Sequence, residues 1–191
     1  MIVVTGGAVF IGSTIIRWLN NIGEEEIVDV DHLDFSEKWR NMVGSKFVDY
    51  LDRGNFLDKI QNNTLKYDVK ICIHMGACSR TTEKDAKFLM ENNFKCSQTL
   101  AKWALKNNIR FIYASSAATF GDSSNGFNDD ENELDYLRTL NMYGYSKHMF
   151  DLWVIRKVYF SEFVGLKFFN VFRPNEYHKG DMRGVVLKGC E

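Results

Sequence analysis

The sequence predicts an α/β fold, a doubly wound parallel sheet, on three observations. Short β-branched apolar runs alternate with longer helical patterns, the first run passes through a glycine-rich turn into the first helix, and an acidic residue closes the second run. Alternation of this kind lays helices on both faces of a sheet, so its strands read as buried apolar runs.

The first strand is expected from Ile2 to Thr5 and the first helix near Ile11 to Asn21, with TGGAVFIGS, Thr5 to Ser13, joining them. Further strands are expected at Ile27 to Val30, Lys46 to Val48, Lys70 to His74, Arg110 to Ser115 and Phe163 to Phe169. Helical spacing predicts two more helices, near Asp85 to Asn107 and Met142 to Tyr159. The acidic stretch DDENELD, Asp129 to Asp135, reads as a solvated loop, and the one proline, Pro174, follows the last strand.

With 191 residues, 45% of them hydrophobic and 26% charged, the chain can bury one full core, so a single domain over 1–191 is expected. The net charge of −1, with both signs interspersed, provides no footprint for nucleic acid or an anionic membrane. No apolar run approaches the ~20 residues of a membrane helix. Cys72, Cys78, Cys96 and Cys190 form no C-x-x-C pair, which points to reduced thiols and a cytoplasmic protein.

The turn between the first strand and helix is where unpaired backbone N–H groups and the positive helix end accept a pyrophosphate. Gly6 is expected to make the tight turn and Gly12 to permit close helix packing. Asp31 follows roughly 20 residues on, the spacing at which an acid meets the adenosine ribose. Turn, helix, strand and acid together predict a Rossmann fold that holds a nicotinamide dinucleotide. Lys38 and Arg53 are candidates to neutralise a 2′-phosphate, or are surface charges, and so leave NADP or NAD open.

YASSAATFG, Tyr113 to Gly121, ends the fifth strand with small hydroxyl residues, and YGYSK, Tyr143 to Lys147, opens a helix on which positions four apart share a face. A phenol with a pKa near ~10 is a poor base, but an ammonium one turn away and a positive nicotinamide ring favour its phenolate. Tyr143 is therefore the expected acid/base group, Lys147 its electrostatic partner, and Ser116 the hydrogen-bonding group for the alcohol or carbonyl oxygen. Tyr145, two residues from Lys147, faces elsewhere. His74 and His178 have no ligand cluster around them, so no metal is assigned.

These motifs resemble those of the extended short-chain dehydrogenase/reductases, over nearly the whole chain. MENNFKCS and FFNVFRPNEYHKGDM belong to the resembling stretches, and GACSRTTE, Gly76 to Glu83, and YHKG, Tyr177 to Gly180, are similar to the ADP-glyceromanno-heptose 6-epimerases in particular. The resemblance implies inversion of carbon six of an ADP-heptose, on the route to lipopolysaccharide core, by transient hydride transfer to NADP. It implies two acid/base groups, Tyr143 and Lys179. By the same resemblance Phe10, Ile11, Asp31, His32, Lys38, Arg53, Met75, Gly76, Ala77, Cys78, Ser79, Asn92, Lys147, Val171 and Lys179 line the cofactor. Ser116, Asn170 and Asp181 touch the nucleotide sugar, and full-length members are expected to be homo-oligomers.

Three departures stand against the family pattern. Val9 occupies a glycine position of the phosphate turn, where a branched residue fills space and resists positive φ. Arg173 replaces a second glycine, and the chain stops at Glu191, so the C-terminal substrate domain is expected to be missing. Besides the 6-epimerase, two readings therefore stay open: another nucleotide-sugar epimerase or dehydratase, and a catalytically dead dinucleotide-binding remnant.

Overall fold

The apolar runs IVVT, IVDVD, ICIH and RFIYASS lie side by side in a parallel sheet. A computed structural model describes residues 1–124, 126–157, 159 and 162–171. The sheet has six strands: β1 Ile2–Thr5, β2 Ile27–Asp31, β3 Asp49–Asp52, β4 Ile71–His74, β5 Arg110–Ser116 and β6 Phe163–Phe168, in the order β3-β2-β1-β4-β5-β6. Every pairing is parallel. The chain runs outward from β1 in one direction and restarts at β4 in the other, which opens a crevice at the carboxyl ends of β1 and β4.

Side chains alternate across the sheet. Val3, Val28, Val30 and Cys72 face one layer, with Phe56, Leu100 and Phe111, while Val4 and Ile27 face the other, under Ile16 and Leu19 of the first helix. That helix, α1, spans Phe10–Asn21. The second layer of helices comprises α2 Arg53–Gln61, α3 Ala86–Leu89, a π-helical turn Met90–Lys95, α4 Cys96–Lys106 and α5 Met142–Arg156. Among the described residues, no helix is long and apolar enough to cross a membrane.

Three expectations change. The strand placed at Lys46 to Val48 lies instead at Asp49–Asp52, where Val28 pairs with Asp49 and Val30 with Leu51. Its four residues are all half-buried, so this edge strand has no apolar run to announce it. Helix α2 was not expected, because Phe56 and Ile60 alone form its buried stripe; its start is set by Asp52, whose carboxylate accepts from the Gly54 N–H at 2.8 Å. The acidic stretch read as a loop contains a short 3-10 helix, Glu131–Tyr136, that buries Leu134.

Candidate active site

Gly6 has φ +73°, and a Cβ there would stand 2.6 Å from the Gly76 nitrogen, so the turn after β1 lies against the end of β4 only because position 6 is glycine. A Cβ on Gly12 would fall 2.0 Å from the Gly6 carbonyl oxygen, which means that Gly12 fits α1 against the turn itself. Val9 is the N-cap of α1, with φ −90° and ψ 172°. This is extended backbone that valine adopts freely, so the anticipated resistance to positive φ does not arise; what remains is its bulk in the lining of the crevice. Val9 also caps without a side-chain acceptor, which leaves the first turn of α1 suited to an anion.

The crevice is a cavity of about 430 Å³. Of the expected cofactor residues it brings together Gly6, Asp31, His32, Lys38, Arg53, Gly76, Ala77, Cys78 and Asn92. Asp31 is buried, accepts from the Ala8 N–H at 3.0 Å, and pairs with the Lys38 ammonium at 3.0 Å, while Lys38 also donates to the His32 carbonyl. Arg53 donates to the Asn92 side-chain oxygen. Phe10 and Met75 are core side chains, Ile11 and Gly12 sit in α1, and Ser79 is exposed beyond the cavity. Asn170 and Val171 lie exposed past the end of β6; Lys179, Asp181 and Arg173 lie outside the described residues.

Beside the cavity, α5 presents its first turn to the end of β5. Asn141 caps the helix by accepting from the Gly144 N–H at 2.8 Å, and a Cβ on Gly144 would meet the Ala118 carbonyl at 2.7 Å, so the two elements touch through backbone. The contact brings the Tyr143 phenol to the Ser116 hydroxyl, close enough for the two to influence each other's protonation. Burial holds the phenol above its ordinary pKa; the Ser116 hydroxyl lowers it and the Cys78 thiol nearby raises it. The Lys147 ammonium donates to the Ala114 carbonyl at 2.8 Å. Burial pulls its pKa down to about 8, against the opposing pull of Asp151. Tyr145 is exposed.

Two buried groups essential to this geometry were missed by sequence reasoning. Asn93, wholly buried in the π-helical turn, accepts from the Cys78 N–H at 2.8 Å and donates to the Cys78 carbonyl and to Ser146 of α5, both at 3.0 Å. It locks the loop after β4 to the tyrosine helix. Asp151 accepts from Tyr113 at 3.0 Å, Ser115 at 2.6 Å and Lys167 at 3.1 Å, tying β5, α5 and β6 together. A signal existed for each: a second asparagine after Asn92, and an acid one turn beyond Lys147 that interrupts the apolar run MFDLWVI of α5. His74 is neutral for a similar reason. Ser97 spends its proton on the Asn93 carbonyl at 2.5 Å, so the His74 Nε2–H donates to Ser97 and Nδ1 accepts from Thr5. Burial, then Lys147, lower the His74 pKa to about 3.

The profile of the NAD dependent epimerase/dehydratase family matches residues 2–189. The chain belongs to this family. An ADP-L-glycero-D-manno-heptose-6-epimerase of Nitratidesulfovibrio vulgaris (strain Hildenborough) is 54% identical over 188 residues, which cover 98% of this chain and 58% of that protein. The corresponding Fusobacterium nucleatum protein is 46% identical over 190 residues, 98% of this chain and 57% of its own length. The chain thus spans under three-fifths of the curated relatives it matches. Among solved structures, the Helicobacter pylori ADP-L-glycero-D-manno-heptose-6-epimerase superposes with a TM-score of 0.81 at 28% identity, covering 98% of this chain and 60% of that one. For an epimerase/dehydratase family member, a crevice ending in the Gly6 turn is the place for a nicotinamide dinucleotide.

Proposed function

We propose that this chain is the dinucleotide-binding part of an ADP-L-glycero-D-manno-heptose-6-epimerase. The observation that carries the reaction type is the placement of the Tyr143 phenol against the Ser116 hydroxyl, on the first turn of α5 and the end of β5 beside the dinucleotide crevice. The substrate class rests on the 54% identical relative, whose name it is. NADP is the proposed cofactor, with NAD as the alternative, because Lys38 and Arg53 bring two cations to the adenosine end of the cavity.

When bound, the dinucleotide supplies acceptance and return of hydride at carbon six of the sugar. Ser116 holds the oxygen on that carbon, and Tyr143 takes its proton and later gives it back. Burial raises the phenol pKa, so Tyr143 serves most readily as the acid that protonates the ketone oxygen, and as a base it relies on the nearby Lys147 ammonium to favour the phenolate. Lys147 stands one helical turn behind with its ammonium on Ala114, available to a ribose or to the phenolate as charge develops. Lys179 is the proposed second acid/base group, serving the opposite epimer.

Incubating the chain with ADP-heptose and NADP, and resolving the two C6 epimers by chromatography, tests this reading. Conversion that is lost in Tyr143→Phe supports it; intact conversion in that variant overturns it. A second reading, a remnant without turnover, is favoured by Val9, which lines the crevice where the family pattern has glycine.

A further inference from the structure

Strand β2 carries an acid where its pattern calls for an apolar residue. In IVDVD all five residues are buried, and Ile27, Asp29 and Asp31 face the α1 side of the sheet. Asp31 is accounted for by Ala8 and Lys38. Asp29 is not: its exposure is 0%, and both carboxyl oxygens lack a hydrogen-bond partner among the described residues. An ideal Cβ built on Gly7 would stand 2.0 Å from Asp29 Oδ1 and 2.8 Å from Ile16 Cδ1. The carboxyl therefore lies directly under the glycine-rich turn, in contact with the backbone whose far side receives the pyrophosphate.

We propose that Asp29 is a positioning residue for the dinucleotide, supporting the turn as a neutral acid and weakening pyrophosphate binding when it ionises. The proposal rests on the dinucleotide reading of the crevice.

The surroundings leave the carboxylate without a counter-charge. Along β2 the nearest charge is Asp31, of the same sign, and the Lys38 ammonium beside it is taken up by Asp31 and the His32 carbonyl. Across β1 the paired residue is Val4, and across β3 it is Tyr50, which donates to the Asp31 carbonyl at 3.0 Å. From α1, Arg17 donates to the Asn41 carbonyl. At the strand ends, His32 and Asp52 pair with each other. Burial first and Asp31 second push Asp29 up to about 7. Near neutral pH the group sits at the balance between a neutral acid, which a buried site tolerates, and an unpaired carboxylate, which it penalises. A pyrophosphate on the same turn adds like charge and pulls a proton onto Asp29, so binding and protonation favour each other.

The sign can be followed in stability as well. With a folded value of about 7 against an ordinary 3.8, Asp29 binds more protons folded than unfolded, and its contribution is lost as pH rises from about 4 through 7. His74, lowered from 6.5 to about 3, acts in the opposite sense over much of that range. The parent profile alone therefore mixes opposing contributions, with His148 and Asp52 acting in the same sense as His74, and the difference between parent and variant is the quantity to read.

The test uses the full chain, Asp29→Val and the isosteric Asp29→Asn, titrated by calorimetry with NADP and with NAD, which has no 2′-phosphate to titrate near neutrality. The parent is expected to bind about tenfold more weakly at pH 8.5 than at pH 6 and to take up protons on binding at pH 7.5, as read from heats in buffers of different ionisation enthalpy. Both variants lose both effects. Melting provides a ligand-free readout: the gap between Asp29→Val and parent widens by about 5 °C or more from pH 4.5 to 7.5. Unchanged pH dependence in both variants, with binding intact, overturns the role of Asp29 alone. Absence of dinucleotide binding in all three proteins at every pH overturns the dinucleotide reading and the proposal with it.

Discussion

Lys147 reaches from α5 to donate its ammonium to the Ala114 carbonyl of β5 at 2.8 Å. The bond fixes the tyrosine helix to the strand that carries Ser116. Because the folded lysine has a pKa of about 8 rather than 10.5, the folded state binds fewer protons than the unfolded one between those values. Stability therefore rises as pH increases through that window. Lys147→Met is expected to remove this rise, on the order of 3 kcal/mol, as measured by urea unfolding at pH 7.5 and 10.

The two proposed proton-transfer groups make separable predictions. Tyr143→Phe and Lys179→Ala should each reduce epimerisation by at least ~10²-fold while leaving dinucleotide affinity within about twofold. Epimer ratios by chromatography and Kd by calorimetry check the two halves. Equal turnover in Lys179→Ala and parent protein removes the second group from the mechanism.

Val9→Gly should tighten NADP binding about ten- to a hundredfold, the value of ~1 to 3 kcal/mol of overpacking relieved. The backbone at position 9 is extended, so the gain comes from side-chain volume and not from released strain. Stability should hold, since glycine is a better N-cap than a β-branched apolar residue. Calorimetric titration of both proteins decides this.

Asp151→Asn should destabilise the fold by about 3–5 kcal/mol, because it leaves the Lys167 ammonium without its buried carboxylate. The effect is read as a shift in the urea midpoint at constant slope. A loss below about 1 kcal/mol would mean that Thr119, which also accepts from Lys167, is sufficient by itself.

Most of the fold was legible because parallel strands are buried on both faces and announce themselves as apolar runs, as at Ile2–Thr5, Ile71–His74 and Arg110–Ser116. The edge strand Asp49–Asp52 and helix α2 were not, since neither buries a continuous apolar face. At the site, Gly6, Asp31, Tyr143 and Lys147 were readable from spacing that backbone geometry imposes. Asn93, Asp151 and the His74 tautomer were not, because their roles depend on partners 15 to 69 residues away in the chain, so the residues could be noticed but not their partners. The bond from the Lys147 ammonium to the Ala114 carbonyl was likewise not legible, since it joins residues 33 apart in the chain.

The central claim is that the crevice holds a nicotinamide dinucleotide, and calorimetric titration of NADP into the folded chain tests it most directly. Saturable binding of one dinucleotide per chain is expected, displaced by NAD and weakened at least about tenfold by Lys38→Ala. No saturable heat from a chain that melts cooperatively would contradict it.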